Sequence, residues 1–192
     1  MSQEKVAQAV VRRPLRVRER SSRSFDQRLA LRVPRLTDRY SRLIAKLPPT
    51  TRIRQAAIGR AAQQAVEAWN RRDLDALLVG YHPDCEHHPP REFVEAGLWE
   101  PTYCGREGIA KLMASWAEAG TDARLEPSEL IDLGPRVVLL YVLTMRTSRL
   151  GDAPLTRPYA SVLTLENGKI LRIDEYADHA EALEAVGLGL RD

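Results

Sequence analysis

Two adjacent histidines, His87 and His88, are the side chains of this chain that are best suited to acid–base chemistry. The segment that carries them reads as a strand that stops at Pro89, and neighbouring residues of a strand point to opposite faces. Only one of the two can therefore enter a given pocket, which argues against a metal ion shared by both. His82 and His179 stand alone in the sequence, so we predict no metal site. A single histidine at a pocket can still donate or accept a proton near neutral pH.

The last predicted strand, at 169–177, supplies carboxylates for the same chemistry. Alternation puts Asp174 and Tyr176 on one face of this strand together with Arg172. The opposite face carries Glu175, and alternation alone leaves open which face lies inside. A carboxylate in an apolar pocket has its pKa raised by desolvation and can take a proton from carbon next to a carbonyl. We predict Asp174 as this general base, with Tyr176 beside it, although Arg172 also suits a surface ion pair with Asp174.

Aromatic and sulfur-containing side chains from the helices and from one long loop are the candidates for contact with a ligand. Their ordinary role is to form core, but the loop at 89–104 is the predicted lid because binding residues concentrate on loops. Arg146, at the end of the strand predicted at 136–147, is a further candidate for contact with the ligand. The predicted ligand-binding residues are Trp69, Tyr81, Trp99, Tyr103, Met113, Trp116 and Arg146.

The helices that must position these residues follow from the spacing of apolar side chains. Helices are predicted at 35–47 and 51–71, with a short one after Asp73 and another after Gly105. The helix at 35–47 is amphipathic and basic. Its apolar face consists of Leu36, Tyr40, Leu43, Ile44 and Leu47.

The strands follow the helices along the chain. They are predicted at 85–88, 123–133, 136–147, 157–166 and 169–177, and a closing helix is predicted at 179–186. The pair Asn167-Gly168 predicts a tight two-residue hairpin between the last two strands. Segregated helices followed by strands that are joined in hairpins indicate the α+β class.

Three segments resemble the SnoaL-like polyketide cyclase family of the nuclear transport factor 2 superfamily, over about residues 55–188. They are EAWNRRDLDAL at 67–77, GREGI at 105–109 and the ending GKILRIDEYADHAEALEAVGL. The resemblance implies a cystatin-like cone, in which three N-terminal helices pack on a curved, mixed and mostly antiparallel sheet around one apolar pocket. In the polyketide cyclases of this family, an aspartate on the sheet is the general base of an intramolecular aldol closure. The resemblance thus implies a small, apolar, carbonyl-type ligand.

Charge divides the chain into a basic N-terminal arm and an acidic remainder. Residues 1–60 carry 16 Lys and Arg against 4 Asp and Glu, and residues 61–192 carry 13 against 22. The arm could therefore pack on its own acidic body, on a second copy of the chain or on an external polyanion. We predict a basic arm at 1–50, partly disordered with a helix near 35–47, and a cone domain at 51–192.

The central strand predicts association with a second copy. Both faces of the segment at 136–147 are apolar, with Val138 and Leu140 on one face and Leu139 on the other. Such a strand is unusual in an antiparallel sheet that has one wet face. We therefore predict that one face lines the cone and that the other meets the basic arm or a partner in a homodimer.

Several classes of protein are disfavoured by what the sequence lacks. No apolar run approaches the roughly 20 residues needed to span a bilayer, and no secretory signal is visible. No Gly-rich phosphate loop or GxSxG elbow occurs, so nucleotide-dependent and serine-hydrolase chemistry is disfavoured and no cofactor is predicted.

Cys85 and Cys104 lack a CxxC spacing and fit reduced thiols in a cytoplasmic protein. The preference for Arg over Lys is typical of a GC-rich bacterial genome.

These features together predict a small-molecule-binding protein. We expect it to bind a small apolar carbonyl compound and, as an enzyme, to be a cofactor-free isomerase, cyclase or hydratase that abstracts a proton next to the carbonyl. The alternative is a non-catalytic ligand-binding or dimerisation module whose basic arm contacts a partner, a membrane surface or nucleic acid. The arm lacks the interleaved aromatic residues of a single-strand binder, so specific nucleic-acid binding is not expected.

Overall fold

The computed structural model describes residues 10–17, 20–118, 122–146 and 154–189. This part of the chain contains seven helices and seven strands. In chain order they are β1 (Val11–Pro14), α1 (Phe25–Arg32), α2 (Pro34–Ala45), α3 (Arg52–Asn70), α4 (Leu74–Leu78), β2 (Tyr81–His88), α5 (Arg91–Glu95), β3 (Tyr103–Cys104), α6 (Gly105–Glu118), β4 (Asp122–Asp132), β5 (Arg136–Arg146), β6 (Leu155–Glu166), β7 (Lys169–Tyr176) and α7 (His179–Ala185).

The strands form one mixed sheet in the order β1-β4-β5-β6-β7-β2-β3. Neighbouring strands are antiparallel except β2 and β7, which run parallel. Helices α3, α4 and α6 pack on one face of the sheet, and α7 packs on the other. The α+β class predicted from the sequence is confirmed.

The hairpin between β6 and β7 forms at the predicted Asn167-Gly168 turn. Both residues have a positive φ, 52° and 77°, as a two-residue turn of type I′ requires. The turn also approaches α2, because a Cβ atom at Gly168 would overlap the backbone of Ser41. Glycine is therefore needed here both for the turn and for the contact with α2.

Two clusters of buried side chains fill the space between the three helices and the sheet. The first joins α3 and α6 to the central strands and includes Val66, Leu112 and Leu139. The second joins α3, α4 and α6 to β2 and β7 and includes Leu77 and Ile173. Full burial of such a side chain contributes about 1.5–3 kcal/mol. These clusters therefore fix the helices on the face of the sheet that carries the cavity described below.

The second apolar face of β5 is covered by α7. Val138 and Leu140 share a third buried cluster with Ala182 of this helix. The cover predicted from the sequence was a partner copy or the basic arm, and the closing helix takes that position for this part of the strand. Val142, further along β5, is half-buried. The homodimer stays a prediction.

The basic arm contains two elements that the sequence did not predict. β1 extends the sheet by pairing with β4. α1 begins at a capping box, in which the side chains of Ser24 and Gln27 each bond the other's backbone N–H. Residues 1–33 lack sustained periodicity, which predicted a segment that is mostly disordered or partly helical, without a defined strand or helix. Residues 1–9 and 18–19 of that segment lie outside the described residues.

Ion pairs between the arm and the body match their opposite charges. Nη2 of Arg23 lies 2.6 Å from Oδ1 of Asp73, which also caps α4. Nη1 of Arg12 lies 3.7 Å from Oε2 of Glu129 on β4. Both arginine side chains are more than a third exposed, and solvent screens such pairs, so these contacts orient the arm more than they stabilise it. Packing of the arm on its own body was one of the three arrangements that the charge division left open.

Candidate functional site

An apolar cavity of about 90 Å³ lies between the helices and the sheet. Side chains of α3, α4 and α6 border it on one side, and side chains of β2 and β4 to β7 border it on the other. Most of its wall is aliphatic or aromatic. The lining residues with polar groups suited to chemistry are His87, Ser161, Glu175, Tyr81, Tyr141 and Tyr159.

His87 and Glu175 meet because their strands are parallel neighbours. His87 pairs in register with Ile173 of β7, and Glu175 is the next residue of β7 on that face. The Nε2 atom of His87 lies 3.2 Å from Oε2 of Glu175. The His87 side chain is 4% exposed, and within the described residues neither ring nitrogen makes an aligned hydrogen bond. The pair is thus at ion-pair distance, and the imidazole keeps its hydrogen-bonding capacity for a ligand.

Hydroxyl groups from β5 and β6 lie beside this pair. Strand register sets Ser161 between Leu139 of β5 and Glu175 of β7. The hydroxyl of Tyr141 lies 3.2 Å from Oγ of Ser161 and donates to Oε1 of Glu175 over 3.5 Å, a long hydrogen bond. The hydroxyl of Tyr159 is buried and has no hydrogen-bond partner within the described part of the chain. The cavity therefore combines a carboxylate, an imidazole and a phenol that is free to donate.

Burial raises the pKa of three tyrosines that line the cavity. For Tyr141 and Tyr159, desolvation of the phenolate is the largest cause of the raised pKa, and the negative charge of Glu175 adds to it. The pKa of Tyr81 is raised by the same two causes. These phenols therefore stay protonated hydrogen-bond donors throughout the neutral range.

We expect alkaline titration of these three tyrosines to coincide with unfolding. Their folded pKa values lie above the unfolded value of about 10. Their contribution to stability is therefore complete below that pH and is lost as the pH rises through the folded values. The tyrosinate absorbance of these residues and the far-UV circular dichroism should change together, at a pH above about 10.

The Tyr159→Phe variant is the control for this titration. It removes one late-titrating phenol and a buried hydroxyl without a partner, so we expect the fold to be kept and the late absorbance change to become smaller. Ordinary titration of all the tyrosines, with the circular dichroism unchanged, would contradict the raised pKa values.

Four of the residues that the sequence analysis proposed for the site line the cavity. They are His87, Trp69, Tyr81 and Trp116. The indole rings of Trp69 and Trp116 join α3 to α6 edge to face, with centroids 6.1 Å apart. His88 points to the outer face of β2, as alternation requires for the neighbour of an inward residue.

Asp174 and Tyr176 lie on the face of β7 that is turned away from the cavity. Both carboxylate oxygens of Asp174 accept hydrogen bonds from Arg172, at 2.7 and 2.8 Å. This is the surface ion pair that the sequence left open as an alternative. Tyr176 packs against the buried cluster under α7. The carboxylate of this strand that reaches the cavity is that of Glu175.

Four further predicted ligand contacts lie outside the cavity wall. Trp99 packs on Trp116 with ring centroids 4.9 Å apart, so it backs the wall without lining it. Tyr103 and Met113 are buried in the core behind it. Arg146 is exposed at the end of β5.

The predicted lid at 89–104 covers the aromatic side of the cavity. It contains α5 and the short strand β3. The Phe93 ring lies 4.5 Å from that of Trp99 and 6.1 Å from that of Tyr159, measured between centroids. The segment is thus packed onto the wall through aromatic contacts.

The sequence did not predict four residues of the cavity wall, namely Glu175, Ser161, Tyr141 and Tyr159. A signal for Glu175 was present, since its face of the strand also carries Leu171 and Ile173, whereas the other face carries Arg172. The more apolar face is the better candidate for the inside. No comparable signal marks Tyr141, because β5 is apolar on both faces.

The described residues contain no group of three or more His, Cys, Asp or Glu side chains that could hold a metal ion. None of the helices in this part of the chain is long and apolar enough to cross a membrane. Both cysteines are free thiols, Cys85 buried and Cys104 exposed.

Comparison with known proteins identifies similar sequences and structures. Residues 62–173 match the SnoaL-like domain. TerC, co-crystallised with polyporic acid, is 28% identical over 65% of this chain and 94% of its own, with a TM-score of 0.56. An NTF2-like protein from Burkholderia pseudomallei K96243 is 24% identical over 67% of this chain and 95% of its own, with a TM-score of 0.55. A candidate polyketide cyclase from Xanthomonas campestris pv. campestris is 25% identical over 70% of this chain and 98% of its own, with a TM-score of 0.51.

No curated protein sequence matches the chain. The segment that matches the SnoaL-like domain runs from α3 to β7 and supplies the whole cavity wall except Glu175. An apolar cavity with a few convergent polar groups is typical of a ligand site. The fold and the cavity are thus those of a small-molecule-binding domain. Because the match spans more than half of the chain and nearly all of the cavity, the chain belongs to the SnoaL-like domain family.

Proposed function

We propose that the cavity binds a small, largely apolar carbonyl compound and that Glu175 and His87 move a proton on it without a cofactor. The observation that carries this function is the convergence of a carboxylate and an imidazole, 3.2 Å apart, in an otherwise apolar cavity. Such groups are the usual donors and acceptors of general acid–base catalysis. Glu175 takes the role predicted for Asp174, because Arg172 already binds both oxygens of Asp174.

Glu175 acts as the base in this reaction. Its carboxylate takes a proton from the carbon next to the carbonyl, and negative charge develops on the carbonyl oxygen. The unpartnered hydroxyl of Tyr159 donates a hydrogen bond to that oxygen. The proton then passes from Glu175 to His87, whose Nε2 lies 3.2 Å from the carboxylate. Its return from the imidazolium to another carbon of the ligand gives an isomerase. Attack of the enolate on a second carbonyl of the same molecule, with the proton returned to the alkoxide that forms, gives a cyclase, and both groups are regenerated in either case.

Two similar proteins support this class of ligand and reaction. The co-crystallisation of TerC with polyporic acid supports a small organic molecule as the ligand. The candidate polyketide cyclase from Xanthomonas campestris supports ring closure, a reaction that would use the same proton abstraction.

A non-catalytic ligand-binding module is the second candidate. It is favoured by the mostly aliphatic wall and by the lack of an aligned hydrogen bond between His87 and Glu175. A ligand in such a cavity can be bound without being converted. Homodimerisation through the sheet, a bacterial source and a cytoplasmic location stay predictions from the sequence for either candidate.

Two measurements on the unmodified chain test the proposed function. Small ketones and β-diketones are titrated against the fluorescence of Trp69 and Trp116, which line the cavity. Compounds that bind are then incubated with the protein in deuterated water, and the loss of their α-hydrogen signals is followed by NMR. We expect exchange to be faster with the protein than in buffer alone. Binding without exchange would support the second candidate, and no binding by any compound would contradict both.

A further inference from the structure

Helices α1 and α2 expose apolar side chains to solvent. On α2, Leu36, Tyr40 and Leu43 follow the spacing of one helical face, and Leu36 and Leu43 are 62% and 64% exposed. On α1, Phe25 and Leu29 lie one turn apart, and Phe25 is 73% exposed. We call these side chains, with Val33 between the helices, the α1–α2 ridge.

The opposite side of both helices is fixed to the body, so the ridge cannot simply turn inward. The buried side chain of Gln27 donates to the backbone oxygen of Gln64 on α3, at 3.0 Å. On α2, Asp38 pairs with Lys169 at 2.7 Å, and Ile44 is buried. Polar anchors thus determine which side of α1 and α2 meets the protein.

Exposed basic side chains lie on the same helices as the α1–α2 ridge. The exposed cations of the two helices and of the residue after α2 are Arg28, Arg32, Arg35, Arg39, Arg42 and Lys46. Within the described residues, none of these six has a carboxylate oxygen within 4.0 Å. By contrast, Arg12, Arg20 and Arg23 of the same arm are all paired with carboxylates of the body.

The two acidic side chains of these helices are already engaged. Asp26 is paired with Arg60, and Asp38 is paired with Lys169. The ridge therefore presents apolar groups and positive charge with no free carboxylate among its described residues. A protein partner would commonly offer a mixture of charges at the rim of an interface, whereas an anionic lipid surface offers one sign of charge above an apolar layer.

We propose that the α1–α2 ridge docks on an anionic lipid membrane, which goes beyond the proposed function of the cavity. Phe25, Leu36 and Leu43 enter the boundary between headgroups and acyl chains, and the six cations contact lipid phosphates. The phenol of Tyr40 suits the same boundary, since its ring is apolar and its hydroxyl polar. The chain binds to the surface of the membrane and does not span it.

Co-sedimentation of the full chain with vesicles tests this docking. Vesicles of phosphatidylcholine alone are compared with vesicles that also contain phosphatidylglycerol, at low and at physiological salt. We expect binding only to the anionic vesicles, and weaker binding as salt screens the charges. No binding to anionic vesicles at low salt would overturn the proposal.

Paired variants separate the ridge from general electrostatic attraction. Arg35→Ser with Arg39→Ser, and separately Leu36→Ser with Leu43→Ser, should each weaken binding about tenfold or more. Arg91→Ser with Arg157→Ser removes the same charge from cations that are paired elsewhere, with Glu95 and Glu92, and should weaken binding far less.

Two further results would count against the membrane as the occupant. Equal effects of the ridge and control variants on vesicle binding would show an attraction without a docking surface. The second is that the chain binds no vesicles but forms a dimer in sedimentation velocity, and that the double variant Leu36→Ser with Leu43→Ser is a monomer. The ridge would then be an interface between copies of the chain. Circular dichroism verifies that each variant is folded, and neither result depends on the cavity.

Discussion

Replacing Arg54 with methionine is expected to lower the free energy of unfolding by about 3–5 kcal/mol, the range for losing one partner of a buried ion pair. The side chains of Arg54 and Asp132 are 2% and 4% exposed. Nε and Nη2 of Arg54 donate to the two carboxylate oxygens at 2.8 and 2.9 Å. Without the guanidinium, the Asp132 carboxylate stays buried with too few partners. Denaturant titration measures the loss.

The same guanidinium joins the basic arm to the body. Nη1 of Arg54 donates to the carbonyl oxygens of Ala45 and Leu47 at the end of α2, at 2.9 and 3.2 Å. Nη2 also donates to the carbonyl oxygen of Gly134, between β4 and β5, at 2.5 Å. Lysine keeps the charge but cannot make these bonds together. We therefore expect Arg54→Lys to lose a large part of the same free energy.

Two controls separate the buried ion pair from the loss of a charge. Arg60→Met removes a largely exposed guanidinium that pairs with Asp26, and it should cost at most about 1 kcal/mol. The double variant Arg54→Met with Asp132→Leu removes both buried charges and should be more stable than Arg54→Met alone. Equal losses in Arg54→Met and Arg60→Met would contradict a stabilising role for the buried pair.

The Glu175→Gln variant is expected to slow proton abstraction by about a hundredfold to ten-thousandfold, the usual contribution of a general base. Glutamine keeps the size of the side chain but cannot take up the proton. The hydroxyl of Tyr141 can still donate to the amide oxygen, so binding measured by tryptophan fluorescence should change little. The deuterium-exchange rate at saturating ligand is the measurement.

Neighbouring residues on the outer face provide matched controls for the cavity pair. Asp174→Asn removes a carboxylate one residue from Glu175, and His88→Ala removes an imidazole one residue from His87. We expect the Asp174→Asn and His88→Ala variants to exchange ligand hydrogens as fast as the unmodified protein. The His87→Ala variant should exchange them more slowly. Exchange that survives Glu175→Gln, or falls equally in Asp174→Asn, would rule out the proposed roles.

Most helices and strands of the fold could be predicted because their signals are local. β5 and β7 begin at Arg136 and Lys169, as alternation and the preceding turn residues predicted. The turn before β7 is marked by two residues next to one another in the sequence, Asn167-Gly168. Neighbouring residues suffice for such features, so no knowledge of the rest of the chain is needed.

β1 could not be predicted, because the partner that makes it a strand is distant in the sequence. Its four residues, Val11–Pro14, include two arginines and show no long alternation. They form a strand since the edge of β4 offers unpaired backbone groups along Glu129–Asp132. Leu15, the residue after β1, is then buried in the main core.

The sequence alone likewise did not determine which side of α2 faces the core. Periodicity grouped Leu36, Tyr40, Leu43, Ile44 and Leu47 on one face, and such a face commonly meets the core. In the folded chain, Ile44 alone of these five is buried. The buried guanidinium of Arg54 and the ion pair of Asp38 decide the rotation of the helix.

By itself the sequence determined the order and type of most elements, the family, and the limit of one inward histidine between His87 and His88. These follow from periodicity and alternation, which depend on adjacent residues. Only the tertiary structure decided that Glu175, and not Asp174, meets His87. That choice depends on the register in which β7 pairs with β6 and with β2. Each of these two pairings contains a shift in register. A slip of one residue would turn the other carboxylate inward, because side chains alternate with a period of two.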